Sequence, residues 1–349
     1  MVEPARGVAS HPAGVTIELT TLAPDEAVFF DGPDVTDFVG LDPDTDYDID
    51  GLAFRTLPVP AGEHLVTFAT VNDVHFGETV CGVIGGPNDP GPFFSSEPGE
   101  APYPETMNRG AVSEILGIDP ALVVVKGDLT SDGTQDELDA FDACYLDTFG
   151  EQLMVVRGNH ESYHDQMYAA VPFQKRDLPG VTVALLDTTR SQHEAGTVSA
   201  EQLEWLDALG ADADRPVMVM GHHHPWSPES TARPSTYFGI NPDDSEKLVE
   251  VVARHPMLVG YWAGHTHRNR VRHFRATGAA PWVEVSCVKD YPGAWAEYRV
   301  YEGGVVQVFH RISSPDALSW TERTRGMYSG TYADYALGAI HDRCFVLAW

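Results

Sequence analysis

At 349 residues the chain can bury a large core, as one big domain or two, and its 43% apolar and 21% charged residues are ordinary for a globular protein. Its 52 acidic against 22 basic residues leave a formal charge of −30, a surface that repels polyanions and excludes duplex DNA, long RNA and anionic membranes as partners. A small anionic substrate stays open wherever bound cations reverse the field locally.

No apolar run approaches the length of a membrane span, and the start of the chain lacks the basic and apolar stretches of a secretory signal. The four cysteines, Cys81, Cys144, Cys287 and Cys344, show no CxxC spacing, so neither a zinc knuckle nor a disulfide framework is expected. Together these point to the cytoplasm. Nothing in the sequence bears on oligomeric state.

Residues 1–62 differ in character from the rest. Val15–Leu19 and Ala27–Phe30 predict short strands separated by turns rich in Asp, Pro and Gly. Leu41–Tyr47 followed by Phe54–Pro58 resembles the end of a fibronectin type III-like domain and the β domain that precedes the catalytic domain of purple acid phosphatases. This stretch is short for a seven-stranded sandwich of roughly 100 residues. The expectation is a reduced β-rich module at 1–62 leaning on a main domain at 63–349.

From Glu63 strands and helices alternate, as in layered α/β folds. Helices are expected over Met107–Leu116, Gln135–Phe149, Ala200–Leu209 with Ser199 as N-cap, and Asp244–Arg254. The stretch 76–104 is crowded with Gly and Pro, has no periodicity, and is placed to wall a site. Beyond Gly264 the pattern predicts strands over Trp282–Val288, Ala296–Tyr301 and Val305–Ile312, then an aromatic tail, Trp320–Trp349, packed back on the body.

Five apolar strands each run into residues able to bind metal. Leu65–Val71 leads into Asn72-Asp73-Val74-His75, and Ala121–Val125 into Lys126-Gly127-Asp128. Leu153–Val156 leads through Gly158 into Asn159-His160-Glu161, Pro216–Met220 into Gly221-His222-His223-His224-Pro225, and Met257–Ala263 into Gly264-His265-Thr266-His267. Ligands of open α/β sheets gather at the carboxyl ends of strands. A pair of transition-metal ions takes about seven or eight protein ligands, and the mixture of imidazole, carboxylate and amide suits Mn, Fe, Co or Zn rather than an all-oxygen calcium cage.

The ordered set Asp-x-His, Gly-Asp, Gly-Asn-His-Glu, His-x-Pro and Gly-His-x-His resembles the calcineurin-like metallophosphoesterases over about 64–312. That resemblance implies an α/β four-layer sandwich, two mixed β-sheets flanked by helices, with two divalent or trivalent metal ions at the strand ends. It implies that Asp73, His75, Asp128 and His267 hold one metal, and that Asp128 bridges to a second held also by Asn159, His223 and His265. His223 is chosen from the triplet because the family's ligand lies two residues before a proline; His222 is then a neighbour and His224 a supporting or substrate-facing group.

His160 resembles the family's catalytic histidine, which steadies the phosphoryl oxygens or protonates the leaving alkoxide. Glu161 can orient a ligand histidine or His160 itself, or simply be a solvated turn residue. No tyrosine follows Gly127-Asp128, so the iron-phenolate colour of purple acid phosphatases is not expected, and the pattern is closer to the bacterial phosphodiesterases acting on cyclic nucleotides or glycerophosphodiesters. The function implied is hydrolysis of such a small soluble phosphodiester, with a phosphomonoesterase or a non-catalytic scaffold on the same fold as the alternatives. Arg268, Arg270 and Arg272 alternate as one solvated strand face would, or else Arg268 or Arg270 reaches the substrate phosphate. Asn108 and Arg109 open a helix and can face the metals.

Overall fold

A computed structural model describes residues 17–83 and 89–349. The first two of the predicted strand residues at 15–19, and residues 84–88 of the expected 76–104 loop, lie outside them. Near the N-terminus β1 (Glu18–Leu22), β2 (Glu26–Asp31) and β3 (Asp34–Val39) form an antiparallel sheet, and β4 (Asp46–Ile49) pairs with β5 (Leu52–Arg55). These five strands share a core with the main body. Leu22, Ala27, Phe29, Leu52 and Phe54 pack with Ala294, Phe309 and Cys344, and Arg343 donates from Nε to the Thr20 carbonyl at 2.9 Å.

The main body holds two six-stranded mixed sheets. Its strands are β6 (His64–Val71), β7 (Val123–Lys126), β8 (Leu153–Val156), β9 (Phe173–Leu178), β10 (Val181–Leu186), β11 (Val217–Gly221), β12 (Leu258–Ala263), β13 (Arg270–His273), β14 (Pro281–Glu284), β15 (Ala294–Tyr301), β16 (Gly304–Arg311) and β17 (Phe345–Ala348). One sheet runs β17-β16-β15-β6-β7-β8 and the other β13-β14-β12-β11-β10-β9. Strands β6, β7 and β8 are parallel, as are β10, β11, β12 and β14.

Facing side chains fill the space between the sheets: Val66, Phe68, Val124 and Val156 from one, Val183, Met218, Met220 and Trp262 from the other. Burial on both faces explains why these strands read as continuous apolar runs instead of alternating. Helix Tyr103–Gly117 covers the outer face of the first sheet with Met107, Ala111 and Ile115. Helices Ala200–Asp212 and Pro242–Arg254 cover the second with Leu203, Leu206, Leu248 and Val252. Helix, sheet, sheet, helix is the four-layer order expected.

Most predicted elements recur within a few residues, including Ser199 as N-cap, which accepts from the Gln202 amide. The helix expected over Gln135–Phe149 is regular only to Phe141; a π-turn at Asp142–Leu146 interrupts it. The strand expected over Trp282–Val288 stops at Glu284, where the chain turns behind the strand ends. The tail goes beyond aromatic packing: helices Pro315–Thr324 and Tyr332–Leu337 lead to β17, which closes the edge of the first sheet. Strands β9 and β10 are additional to the predicted set. The four cysteines are free, and among the described residues no helix is long and apolar enough to cross a membrane.

Candidate metal centre

The parallel strands β6, β7, β8, β11 and β12 all end at one edge of the sandwich, and each delivers its polar residues there. The turns that follow are unusual. Asp73, His75, Asp128, His265 and His267 have φ of 54°, 48°, 49°, 67° and 53°. Left-handed backbone costs a non-glycine residue on the order of 1–3 kcal/mol and persists only where surroundings over-determine it. Here neighbouring turns lock each other: the Asp73 amide donates to the Gly127 carbonyl at 3.0 Å, and the Val74 and His75 amides donate to the Asp128 carbonyl at 2.9 and 3.0 Å. The His265 amide donates to Asp73 Oδ2 at 3.0 Å.

Two glycines make room. A Cβ on Gly127, whose φ is +93°, would lie 2.5 Å from His222 Nδ1, and one on Gly158 would lie 2.9 Å from Asp128 Cγ and closer still to its Oδ1 and amide nitrogen. Only a residue without a side chain lets these strand ends close around the Asp128 carboxylate.

Two groups of donors result, with Asp128 between them. On one side, Asp73, His75 and His267 bring ligand atoms within 4.8 Å of one another. His75 Nε2 lies 3.5 Å from Asp128 Oδ2, and His267 Nε2 3.4 Å from Asp73 Oδ1. On the other side, His222 Nε2 lies 3.3 Å from Asp128 Oδ1 and 3.0 Å from Asn159 Oδ1, and the His265 ring centre is 5.0 Å from that of His222. His265 turns its Nε2 away, 2.8 Å from the Phe238 carbonyl, leaving Nδ1 toward the group.

The arrangement fits a pair of cations. Both His75 nitrogens are buried without an aligned hydrogen bond, an unusual deficit that a Lewis acid at Nε2 would relieve. The electrostatics agree. Burial pushes the Asp128 carboxyl up, yet the imidazoles of His222, His160 and His75 hold it well below the usual range. Burial lowers His265 to about 4, aided by His222, which keeps it neutral. At His222 burial is outweighed by the Asp128 carboxylate, which raises it to about 9, and at His267 by Cys287 and Asp73, which raise it well above the usual value, so each carries a proton that a cation would displace.

Within the triplet, His222 and His223 each bring a ligand atom within 4.8 Å of one another and of His265, and they differ in what else they face. His222 faces Asp128 and Asn159, with its Nδ1 fixed 2.8 Å from the Lys126 carbonyl. Both His223 nitrogens have other partners, Thr188 Oγ1 at 2.9 Å from Nδ1 and the Glu194 carbonyl at 3.0 Å from Nε2. His224 Nε2 meets the Tyr237 hydroxyl at 2.8 Å, and burial lowers its pKa to about 3. The physical reason is register. The last residue of β11 is Gly221, so the residue after it is the one aimed between the sheets.

His160 sits beside the centre, its ring 4.5 Å from that of His75, its amide donating to Asp128 Oδ1 at 3.1 Å. Its Nδ1 is 2.7 Å from the Ser131 carbonyl, which leaves Nε2 for the cleft. Glu161 neither touches a histidine nor meets solvent. It is buried, accepting from the Thr130 amide at 2.9 Å and hydroxyl at 2.6 Å and from the Gly158 amide at 2.7 Å, so it ties the β7 turn to the β8 turn.

Arg268 is partly exposed, and its guanidinium pairs with buried Glu284 at 2.8 Å, beside Arg272 at 3.4 Å from the same carboxylate. Asn108 also points elsewhere, donating to the Val74 carbonyl at 2.9 Å and so bracing the Asp73–His75 turn, while exposed Arg109 pairs with Glu105. Three supporting residues escaped the sequence reading. Glu78 Oε2 lies 3.2 Å from His75 Nδ1, Asp290 Oδ2 3.5 Å from His267 Nδ1, and the Tyr163 hydroxyl accepts from Asn159 Nδ2 at 3.2 Å. The signal for Tyr163 was present, since it lies one helical turn after Asn159; Glu78 and Asp290 carried none.

A family model for calcineurin-like phosphoesterases matches residues 66–269, more than half of the chain. The glycerophosphodiester phosphodiesterase GpdQ of Enterobacter lignolyticus is 26% identical over 183 residues, 48% of this chain and 64% of that one. A probable cyclic nucleotide phosphodiesterase of Synechococcus is 24% identical over 154 residues, 43% of this chain and 58% of that one. The chain thus spans less than two thirds of the length of these two relatives. In fold it is similar to a dimetal phosphatase of Danio rerio, with a TM-score of 0.54 and 17% identity over 72% of this chain and 98% of that one. The chain belongs to the calcineurin-like phosphoesterase family.

Proposed function

We propose that this protein is a metal-dependent phosphodiesterase that hydrolyses a small soluble phosphodiester of the cyclic-nucleotide or glycerophosphodiester type. The observation that carries the reading is the sharing of Asp128, whose two oxygens face His75 Nε2 and His222 Nε2 at 3.5 and 3.3 Å. Asp73, His75, Asp128 and His267 would hold one cation; Asp128, Asn159, His222 and His265 the other, His222 standing where His223 was expected. Mn, Fe, Zn or Co would serve, and such a pair supplies an acidified water and dense positive charge against the phosphoryl oxygens.

The protein's own part falls to His160. The Ser131 carbonyl accepts from its Nδ1–H and so fixes the ring, and Nε2 can deliver a proton to the departing alkoxide, which leaves poorly as an anion near neutral pH. Tyr163 packs edge-on against that ring, with centres 5.6 Å apart, and limits its rotation. The names of the relatives point the same way.

The test is turnover of the manganese-loaded protein on bis(p-nitrophenyl) phosphate against p-nitrophenyl phosphate, followed by cyclic nucleotides and glycerophosphodiesters. A higher kcat/KM for the diester is expected. A monoester preference replaces the reading with a phosphomonoesterase, and two bound cations without turnover of either would leave a binding protein.

A further inference from the structure

Behind the first cation site, on the side away from the cleft, lies a buried cluster of charge. Lys289, its side chain 7% exposed, sets Nζ 2.7 Å from Glu78 Oε1 and 3.4 Å from Asp290 Oδ2. Each carboxylate also faces the rear nitrogen of a histidine: Glu78 Oε2 lies 3.2 Å from His75 Nδ1, and Asp290 Oδ2 3.5 Å from His267 Nδ1. The other Asp290 oxygen accepts from the Tyr332 hydroxyl at 2.6 Å and the Cys287 thiol at 3.0 Å.

We propose that Lys289 is a positioning residue for the first cation site, acting through Glu78 on His75 and through Asp290 on His267. The inference rests on the binuclear centre proposed above. A histidine binds a metal well when its second nitrogen is held by a carboxylate, which fixes the ring and raises its basicity. Two carboxylates in one dry pocket repel each other and pay desolvation unless a cation sits between them. One ammonium does this for both, so a single side chain sets the aim of two ligands. Glu78 and Lys289 are 211 residues apart, and Cys287, Lys289, Asp290 and Tyr332 all lie beyond the 66–269 stretch that the family model covers. The tail is therefore part of the first site's support.

The neighbouring backbone strengthens this placement. Helix Tyr332–Leu337 holds the loop that carries His265 and His267: the Tyr335 hydroxyl donates to the Thr266 carbonyl at 3.0 Å, and the Asn269 amide donates to the Ala336 carbonyl at 3.0 Å.

The experiment titrates metal-free full-length protein with Mn²⁺ by calorimetry, comparing wild type with Lys289→Met, Asp290→Asn and Tyr332→Phe. Wild type should show two binding steps. Lys289→Met and Asp290→Asn should weaken one step by about 10- to 100-fold and leave the other unchanged, the range typical of groups that orient ligands. Tyr332→Phe should weaken the same step less. With Co²⁺ in place of Mn²⁺, only one component of the visible spectrum should shift in the variants. Should Lys289→Met fail to fold, Lys289→Gln, which keeps a polar side chain without the charge, carries the test. Wild-type affinity at both steps in the variants, or equal weakening of both steps, would overturn the role of Lys289. A wild type that binds fewer than two ions would overturn the centre itself.

Discussion

Replacing Gly158 by alanine separates the geometry of the centre from its chemistry, because no donor is removed. Gly158 has φ −110° and ψ −168°, open to any residue, so the substitution carries no backbone penalty. The three atoms nearest the new methyl would all belong to Asp128: 2.9 Å to its Cγ, and nearer to Oδ1 and the amide nitrogen. Carbon atoms rest about 3.5–4.0 Å apart, so the β7 and β8 turns must separate by more than about half an ångström. Asp128 cannot yield alone, since its carbonyl holds the Val74 and His75 amides and its Oδ1 the His160 amide. Overpacking of this kind costs about 1–3 kcal/mol, and misplacement by about 1 Å at a reacting centre can cost about 100-fold in rate. Gly158→Ala should therefore fold, melt a few degrees lower, bind both cations more weakly and lose about 100-fold in kcat on bis(p-nitrophenyl) phosphate. Thermal melting, manganese calorimetry and steady-state kinetics read the three effects. A variant with wild-type kcat and affinity would refute the claim that the close approach of β8 to Asp128 sets the centre.

His160→Ala should keep both cations and lose about 100- to 10,000-fold in turnover of alkyl esters, but much less with p-nitrophenolate as leaving group; equal losses would mean that His160 stabilises charge instead of giving a proton. His222→Ala should bind one manganese ion fewer than wild type while His223→Ala retains two, and the reverse stoichiometry would restore the spacing to proline as the guide. Glu297, buried against Arg299 and His310, should make the fold acid-labile. Burial raises its carboxyl, but the hydrogen bonds at 2.7 Å from Arg299 Nε and 2.8 Å from His310 Nε2 bring it down to about 2 from 4.5. The stabilisation, on the order of 3 kcal/mol, is complete above the unfolded value near 4.5 and is lost as the pH falls toward 2. Urea unfolding of Glu297→Gln should then show a deficit at pH 6 that is roughly halved by about pH 3 and has largely vanished by about pH 2; a constant deficit would exclude the linkage.

The sequence by itself determined that five apolar strands end in metal-capable residues, because a strand buried on both faces and the turn that ends it are local and contiguous in the chain. Val123–Lys126 and Gly127-Asp128 announce both the sheet and its edge. The layers followed from the same alternation of strand and helix. What sits behind the ligands depended on the tertiary structure. His222 rather than His223 faces Asn159 because β11 ends at Gly221, and the register of a strand end is set by pairing with its neighbours. Glu161 reads as a turn residue until the fold brings Thr130 to its carboxylate. Lys289 and Asp290 follow a strand that stops earlier than its apolar pattern, and they acquire meaning only when Glu78, His75 and His267 close around them. The candidate ligands announce themselves locally, since each stands at the end of a strand; the groups packed behind them come from distant segments, and only the folded sandwich brings those segments together.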